Sequence, residues 1–169
     1  MSDAEEIQYK RGKTLISGKE ISDKVRVLAD DILKDTPGDS GLLVVGILNG
    51  AAFFLSDLVR HMPPDFDVKI DFMAISSYGD DTKTSGAVRI LKDIGSDIEG
   101  RNVLIVEDII DTGLTLSYLL EILHARKPAS LRTCVLLDKH ERRKTPVKLD
   151  YRGFVIPDAF VVGYGLDCA

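Results

Sequence analysis

The sequence predicts an α/β domain on a mainly parallel twisted sheet flanked by helices, and three observations carry that expectation. Short apolar runs recur at Leu42–Leu48, Val103–Val106 and Leu131–Leu137, as strands buried on both faces require. Stretches with apolar residues at helical spacing lie between them, the alternation expected of strand–helix–strand units. At 169 residues the chain is long enough for one domain with a substantial core, and no internal repeat or low-complexity segment divides it.

The charge balance narrows the partners. With 22 basic against 27 acidic residues, a formal net charge of -5, a broad nucleic-acid-binding face is not expected. An anionic ligand has to be held locally, by metal, backbone N–H groups or a few placed cations. Cys134 and Cys168 lie far apart without metal-ligand spacing and read as free thiols in a reducing compartment. No apolar run reaches membrane-spanning length, and the polar start Met1-Ser2-Asp3-Ala4-Glu5-Glu6 lacks the pattern of a signal peptide, so a cytoplasmic setting without a membrane partner is expected.

Taken in order, Ser17-Gly18-Lys19-Glu20 has the spacing of a helix-starting capping box. Ile21, Val25, Leu28, Ile32 and Leu33 then share one helical face, predicting a helix over 18–34 that stops at Thr36-Pro37-Gly38. Leu42–Leu48 is a central strand. Asn49-Gly50-Ala51 turns from it into a second helix with Phe54, Leu55, Leu58 and Val59 as its buried stripe, ending at Met62-Pro63-Pro64. Val68–Ile75 alternates only in part and is expected nearer a sheet edge. The polar segment Ser76–Gly86 exceeds what a turn needs, leaving a floppy hairpin tip or a lid, and Ala87–Leu91 brings the chain back as a strand.

The richest stretch begins at Val103–Val106, a buried strand that delivers Glu107 and Asp108 at its end, then Asp111, then the turn Thr112-Gly113-Leu114-Thr115. Leu116, Leu119, Leu120 and Leu123 stripe the helix that follows, and Leu131–Leu137 supplies another strand ending in Asp138-Lys139-His140. Ligands of such sheets sit at the carboxyl ends of the strands, which gathers Asn49, Gly50, Glu107, Asp108, Asp111–Thr115 and Lys139 around one crevice. Adjacent carboxylates suit the vicinal hydroxyls of a ribose, a divalent cation, or both. Thr112–Thr115 at a helix start offers backbone donors and two hydroxyls to a phosphate, with Gly113 permitting close approach. No Gly-Lys-Ser/Thr follows and no dinucleotide fingerprint is present, so ribose beside a monophosphate is the expected ligand. Tyr151–Asp167 carries two short β patterns broken by Ile156-Pro157-Asp158, and is expected to form a flap over the crevice outside the main sheet.

Val106-Glu107-Asp108-Ile109-Ile110-Asp111-Thr112-Gly113 resembles the phosphoribosyl pyrophosphate signature of type I phosphoribosyltransferases. Ile156–Asp167 resembles the C-terminal flap of the hypoxanthine-guanine branch, and the Ser77-Tyr78 pair matches that branch as well. The likeness runs from about Ile16 to Asp167. It implies the type I phosphoribosyltransferase fold as a single domain, with a core at about 18–140, a small hood from about 1–15 plus 141–169, and a long flexible loop hairpin. It also implies a magnesium-dependent purine-salvage transfer of 5-phosphoribosyl from phosphoribosyl pyrophosphate to hypoxanthine or guanine, by a homodimer or homotetramer.

The resemblance assigns roles residue by residue. Glu107 and Asp108 hold the ribose hydroxyls and metal, and Asp111 handles the proton near the base N7. Ile109, Ile110 and Thr112, Gly113, Leu114 and Thr115 form the phosphoribosyl site. Asn49 and Gly50 face pyrophosphate, while Ser77 and Tyr78 open the loop, which then reads as a lid that excludes water. Lys139 donates to the purine 6-oxo group, Phe160 stacks on the ring, the Val161 backbone reads its exocyclic edge, and Asp167 binds a second Mg2+. Two departures stand out. Asn49 replaces the family's lysine, which follows a non-proline cis peptide, and the chain stops at Cys168-Ala169 where relatives continue with an arginine-bearing tail. Both point to weaker pyrophosphate binding.

Overall fold

The structure, a computed structural model, describes residues 12–36, 40–77 and 88–166. Its helices are α1 (Gly18–Asp35), α2 (Ala51–Arg60) and α3 (Leu114–His124). Its strands are β1 (Leu42–Leu48), β2 (Val68–Ser77), β3 (Val88–Lys92), β4 (Asn102–Ile110), β5 (Ser130–Asp138) and β6 (Tyr151–Val155). They form one sheet in the order β3-β2-β1-β4-β5-β6, parallel except where β3 returns antiparallel along β2.

Parallel neighbours need crossovers, and the crossover helices cover both sheet faces. Alternation along β4 shows this directly. Leu104 and Val106 pack with Val25, Ile32, Phe54 and Leu58 of α1 and α2, whereas Val103 and Ile105 pack with Leu116, Leu119 and Leu123 of α3. The central strands are thereby dry on both sides, and loops at their carboxyl ends stand on rigid supports. Helix α1 begins as expected: Ser17 Oγ accepts from the Glu20 N–H at 3.2 Å, and the Ser17 N–H donates to Glu20 Oε2 at 2.7 Å. The second helix buries its apolar stripe, leaving Phe53 as its exposed aromatic ring.

Two expectations change. Strand β4 does not end at Val106 but continues to Ile110, with Glu107 opposite Val135 and Ile110 opposite Asp138. Backbone pairing with β5 sets its length, and that ladder tolerates polar side chains where an apolar run has ended. Tyr151–Val155 is not flap but the sixth strand, pairing Cys134 with Tyr151 and Asp138 with Val155. It covers an edge of β5 that buried Cys134 and Leu136 could not leave in water. The segment crossing the crevice is therefore 156–166. Strand β2 lies second from the edge, close to where alternation put it. Most of the expected lid, 78–87, lies outside the described residues, as do hood residues 1–11 and 167–169. Among the described residues no helix is long and apolar enough to cross a membrane.

Helix α1 contributes nothing to the crevice, so its start can be weakened without touching chemistry. Ser17→Ala is expected to lower the unfolding free energy in urea by about 1 kcal/mol, with turnover unchanged.

Candidate active site

The carboxyl ends of β1, β4 and β5 surround a crevice of about 410 Å³. On its β1 side the Leu48–Asn49 peptide is cis, as the family pattern has it, with Asn49 exposed and Gly50 buried. Gly50 opens α2 without a side-chain cap. A Cβ on Gly50 would lie 1.8 Å from Asp108 Oδ2, so the carboxyl group of β4 occupies the space a side chain would take. Asp108 is 8% exposed, and its Oδ1 accepts from the Ile109 N–H at 2.8 Å.

Burial, then the neighbouring Asp108 charge and a side-chain hydrogen bond with it, push the Glu107 carboxyl well above the ordinary carboxylate range. Two such acids are comfortable when they share a proton or when hydroxyls or a cation bridge them. Their hard oxygens fit magnesium, which takes one or two carboxylates and completes its shell with water and substrate oxygens. Among the described residues no group of three or more His, Cys, Asp or Glu is arranged for a metal.

The turn after β4 is built to leave donors free. Gly113 has φ 83° and as N-cap offers no side chain to α3, where Thr112 Oγ1 accepts from the Leu114 N–H at a long 3.4 Å, in contrast to the closed capping box of α1. Unpaired N–H groups at such a start attract an anion. The turn is gripped from behind: the Lys144 and Thr145 N–H groups donate to the Thr112 carbonyl at 2.9 and 3.1 Å, and Arg143 Nε donates to the Asp111 carbonyl at 3.2 Å. A Cβ on Gly113 would meet Arg143 Cδ and the Thr145 carbonyl at 2.8 Å, so the glycine also permits this close backing.

Lys139 faces this turn from the end of β5. Its N–H donates to the Ile110 carbonyl at 3.0 Å, its side chain is only 12% exposed, and its Nζ stands 3.8 Å from Asp158 Oδ1. Buried Asp138 pairs with Arg143 and, at 3.3 Å, with Arg152. Phe160, 74% exposed, lines the crevice with Val161. The flap is tied down beyond them, where the Tyr164 hydroxyl donates to Asp57 Oδ2 at 2.6 Å and its ring sits 6.5 Å from that of Phe53. Burial and the Asp57 carboxylate push the Tyr164 hydroxyl pKa up.

The phosphoribosyl transferase domain family matches residues 12–169 of this sequence. The chain belongs to the phosphoribosyltransferase family. It is 49% identical over 157 residues to the hypoxanthine-guanine phosphoribosyltransferase of Bacillus subtilis, covering 93% of this chain and 86% of that one. The enzyme of the same name from Aquifex aeolicus is 47% identical over 162 residues, covering 96% and 90%. A crystal structure of a hypoxanthine-guanine phosphoribosyltransferase from Bacillus anthracis, with a HEPES molecule in its active site, superposes with a TM-score of 0.88 at 48% identity over 94% of this chain and 92% of that one.

Of the residues that the sequence pointed to, the phosphoribosyltransferase crevice brings together Asn49, Gly50, Glu107, Asp108, Ile109, Ile110, Asp111, Thr112, Gly113, Thr115, Lys139, Phe160 and Val161. Leu114 is not among the lining residues and exposes its side chain instead, because it sits on the outer face of the first turn of α3. Ser77 closes β2, while Tyr78 and Asp167 lie outside the described residues. Arg142, Arg143, Asp138 and Asp158 were missed as supports of the site. The available signal was a pair of arginines three residues after Lys139, in a stretch with no periodicity to read.

Two outcomes follow from this geometry. Gly50→Ala forces a methyl group into Asp108, and kcat/KM is expected to fall at least about 100-fold in steady-state assays. Glu107→Gln removes a raised acid. Since the folded-state pKa exceeds the unfolded one, the stabilising effect of protonation is complete below the unfolded value and is lost as pH rises through the folded value. The ligand-free variant should therefore be more stable than wild type by about 1 kcal/mol at about pH 8. That gap should close below about pH 4 in urea titrations.

Proposed function

We infer that this crevice transfers a 5-phosphoribosyl group from phosphoribosyl pyrophosphate to hypoxanthine or guanine, yielding IMP or GMP and pyrophosphate in purine salvage. One observation carries the reading: an acid pair, an uncapped helix start, Lys139 and Phe160 line a single cavity. The N–H groups and hydroxyls of Thr112–Thr115 hold the 5'-phosphate. Glu107 and Asp108 hold the ribose hydroxyls and favour the positive charge that grows on the sugar as pyrophosphate leaves. Asp111 takes up or returns the proton near N7 of the purine.

Phe160 offers its exposed ring for stacking, and the Val161 backbone reads the exocyclic edge. Lys139 donates to the 6-oxo group, an acceptor that adenine lacks. Magnesium, held by Glu107 and Asp108 with Asp167 for a second ion, supplies charge neutralisation at the leaving pyrophosphate when bound. Among the described lining residues the cation is Lys139, on the purine side, so the pyrophosphate end near neutral Asn49 relies on backbone donors. Assembly as a homodimer or homotetramer, with exposed Phe53 of α2 as a contact, and a cytoplasmic setting belong to the same proposal.

The deciding assay offers the purified protein, with magnesium and phosphoribosyl pyrophosphate, hypoxanthine, guanine, xanthine, adenine, uracil and orotate in turn. Hypoxanthine and guanine should turn over. Preference for adenine or a pyrimidine, or no turnover at all, would sink the reading. Lys139→Ala should cost about 100-fold in kcat/KM for hypoxanthine.

A further inference from the structure

Arg142 lies in a short 3-10 turn (His140–Arg142) directly after Lys139, and it bridges Asp111, which lines the crevice, and Asp158 in the crossing segment 156–166. Its Nε stands 2.7 Å from Asp111 Oδ1 and its Nη1 3.3 Å from Asp158 Oδ1. That same Asp158 oxygen is 3.8 Å from Lys139 Nζ. Asp111 Oδ1 is shut off from solvent although the side chain as a whole is 42% exposed, so the exposure falls on the remaining side-chain atoms, Oδ2 among them. The guanidinium N–H is not aligned on Oδ1, so the contact is an ion pair rather than a linear hydrogen bond. From below, Arg143 Nε fixes the Asp111 carbonyl at 3.2 Å, anchored in turn on buried Asp138.

We propose that Arg142 is a positioning residue for proton transfer: it covers Oδ1 of Asp111, leaves Oδ2 as the oxygen presented to the purine, and through Asp158 links that orientation to Lys139. This rests on the phosphoribosyl-transfer reading of the crevice. A purine seated against Lys139 then meets an acid already turned toward its imidazole edge. Half-exposed ion pairs add little to stability, whereas a misplaced proton-transfer group slows the chemical step. Fold and rate should therefore separate on substitution.

The test compares Arg142→Gln, Arg142→Lys and Asp158→Asn with wild type in single-turnover and steady-state assays. The substrates are hypoxanthine and 8-azahypoxanthine, whose more acidic imidazole N–H asks less of a base. Arg142→Gln should slow the single-turnover rate with hypoxanthine about tenfold or more, with KM for phosphoribosyl pyrophosphate within about twofold. Its melting temperature should stay within about 2 °C of wild type. The lysine variant should recover most of the rate, and the deficit should shrink with 8-azahypoxanthine. Asp158→Asn should show a smaller rate loss and a raised KM for hypoxanthine. An Arg142→Gln rate within twofold of wild type, or an equal deficit with both bases, overturns the proposal alone. A wild type inactive toward hypoxanthine overturns the transfer reading and this proposal with it.

Discussion

Strand β4 carries two carboxyl groups past the end of its apolar run, into a place where water is scarce, and most of the site follows from how that is tolerated. The pairing with β5 keeps Glu107 and Asp108 in extended backbone. Asp108 then has to fit against the turn after β1, and only a glycine at position 50 leaves room. Glu107 resists losing its proton beside it. A fold does not gain stability from such a pair. What the pair gains is a standing demand for hydroxyls and cations, which phosphoribosyl pyrophosphate with magnesium can meet.

The three helix starts show the same backbone physics used in opposite ways. At α1 the orphan donors are answered by Ser17 and Glu20, and that end of the molecule does no chemistry. At α2 and α3 the N-cap residues are Gly50 and Gly113, which have no side chain to answer, and at α3 only Thr112 Oγ1 reaches the Leu114 N–H, at 3.4 Å. An uncapped helix end wastes hydrogen bonds unless an anion completes it. Both such ends open on the crevice, and the α3 turn is pinned from behind by Arg143, Lys144 and Thr145 so that its free face keeps its shape.

The sheet and its helices were legible because burial writes itself into side-chain period: the runs at Leu42 and Leu131 and the stripes of α1 to α3 all lie where the pattern placed them. Strand ends were less legible, since the ladder is a backbone property and Glu107–Ile110 could join it without being apolar. The β pattern of Tyr151–Val155 was legible but its place in the main sheet was not, and only the uncovered edge of β5 explains why it pairs there. The acids, the phosphate turn and Lys139 were placed at the crevice by their chemistry at strand ends, whereas Phe160 came from the family resemblance alone. Arg142 and Asp158 were not found, because ion pairs between residues distant in sequence leave no local period.

Register joins the proposed sugar half of the site to the proposed purine half. Ile110 lies opposite Asp138, and the Lys139 N–H donates to the Ile110 carbonyl, so Lys139 is set against the end of the strand that carries Glu107 and Asp108. A slip of one residue between β4 and β5 would turn every side chain of one strand to the other face. It would separate Lys139 from Asp111 and swap the faces to which the neighbouring side chains Glu107 and Asp108 point. Under the proposed roles, donor recognition and base recognition are therefore consequences of one backbone alignment. Under the proposed roles, local substitutions at Lys139 or Phe160 change which purine is preferred, while the distance between sugar and base sites stays fixed by the ladder beneath them.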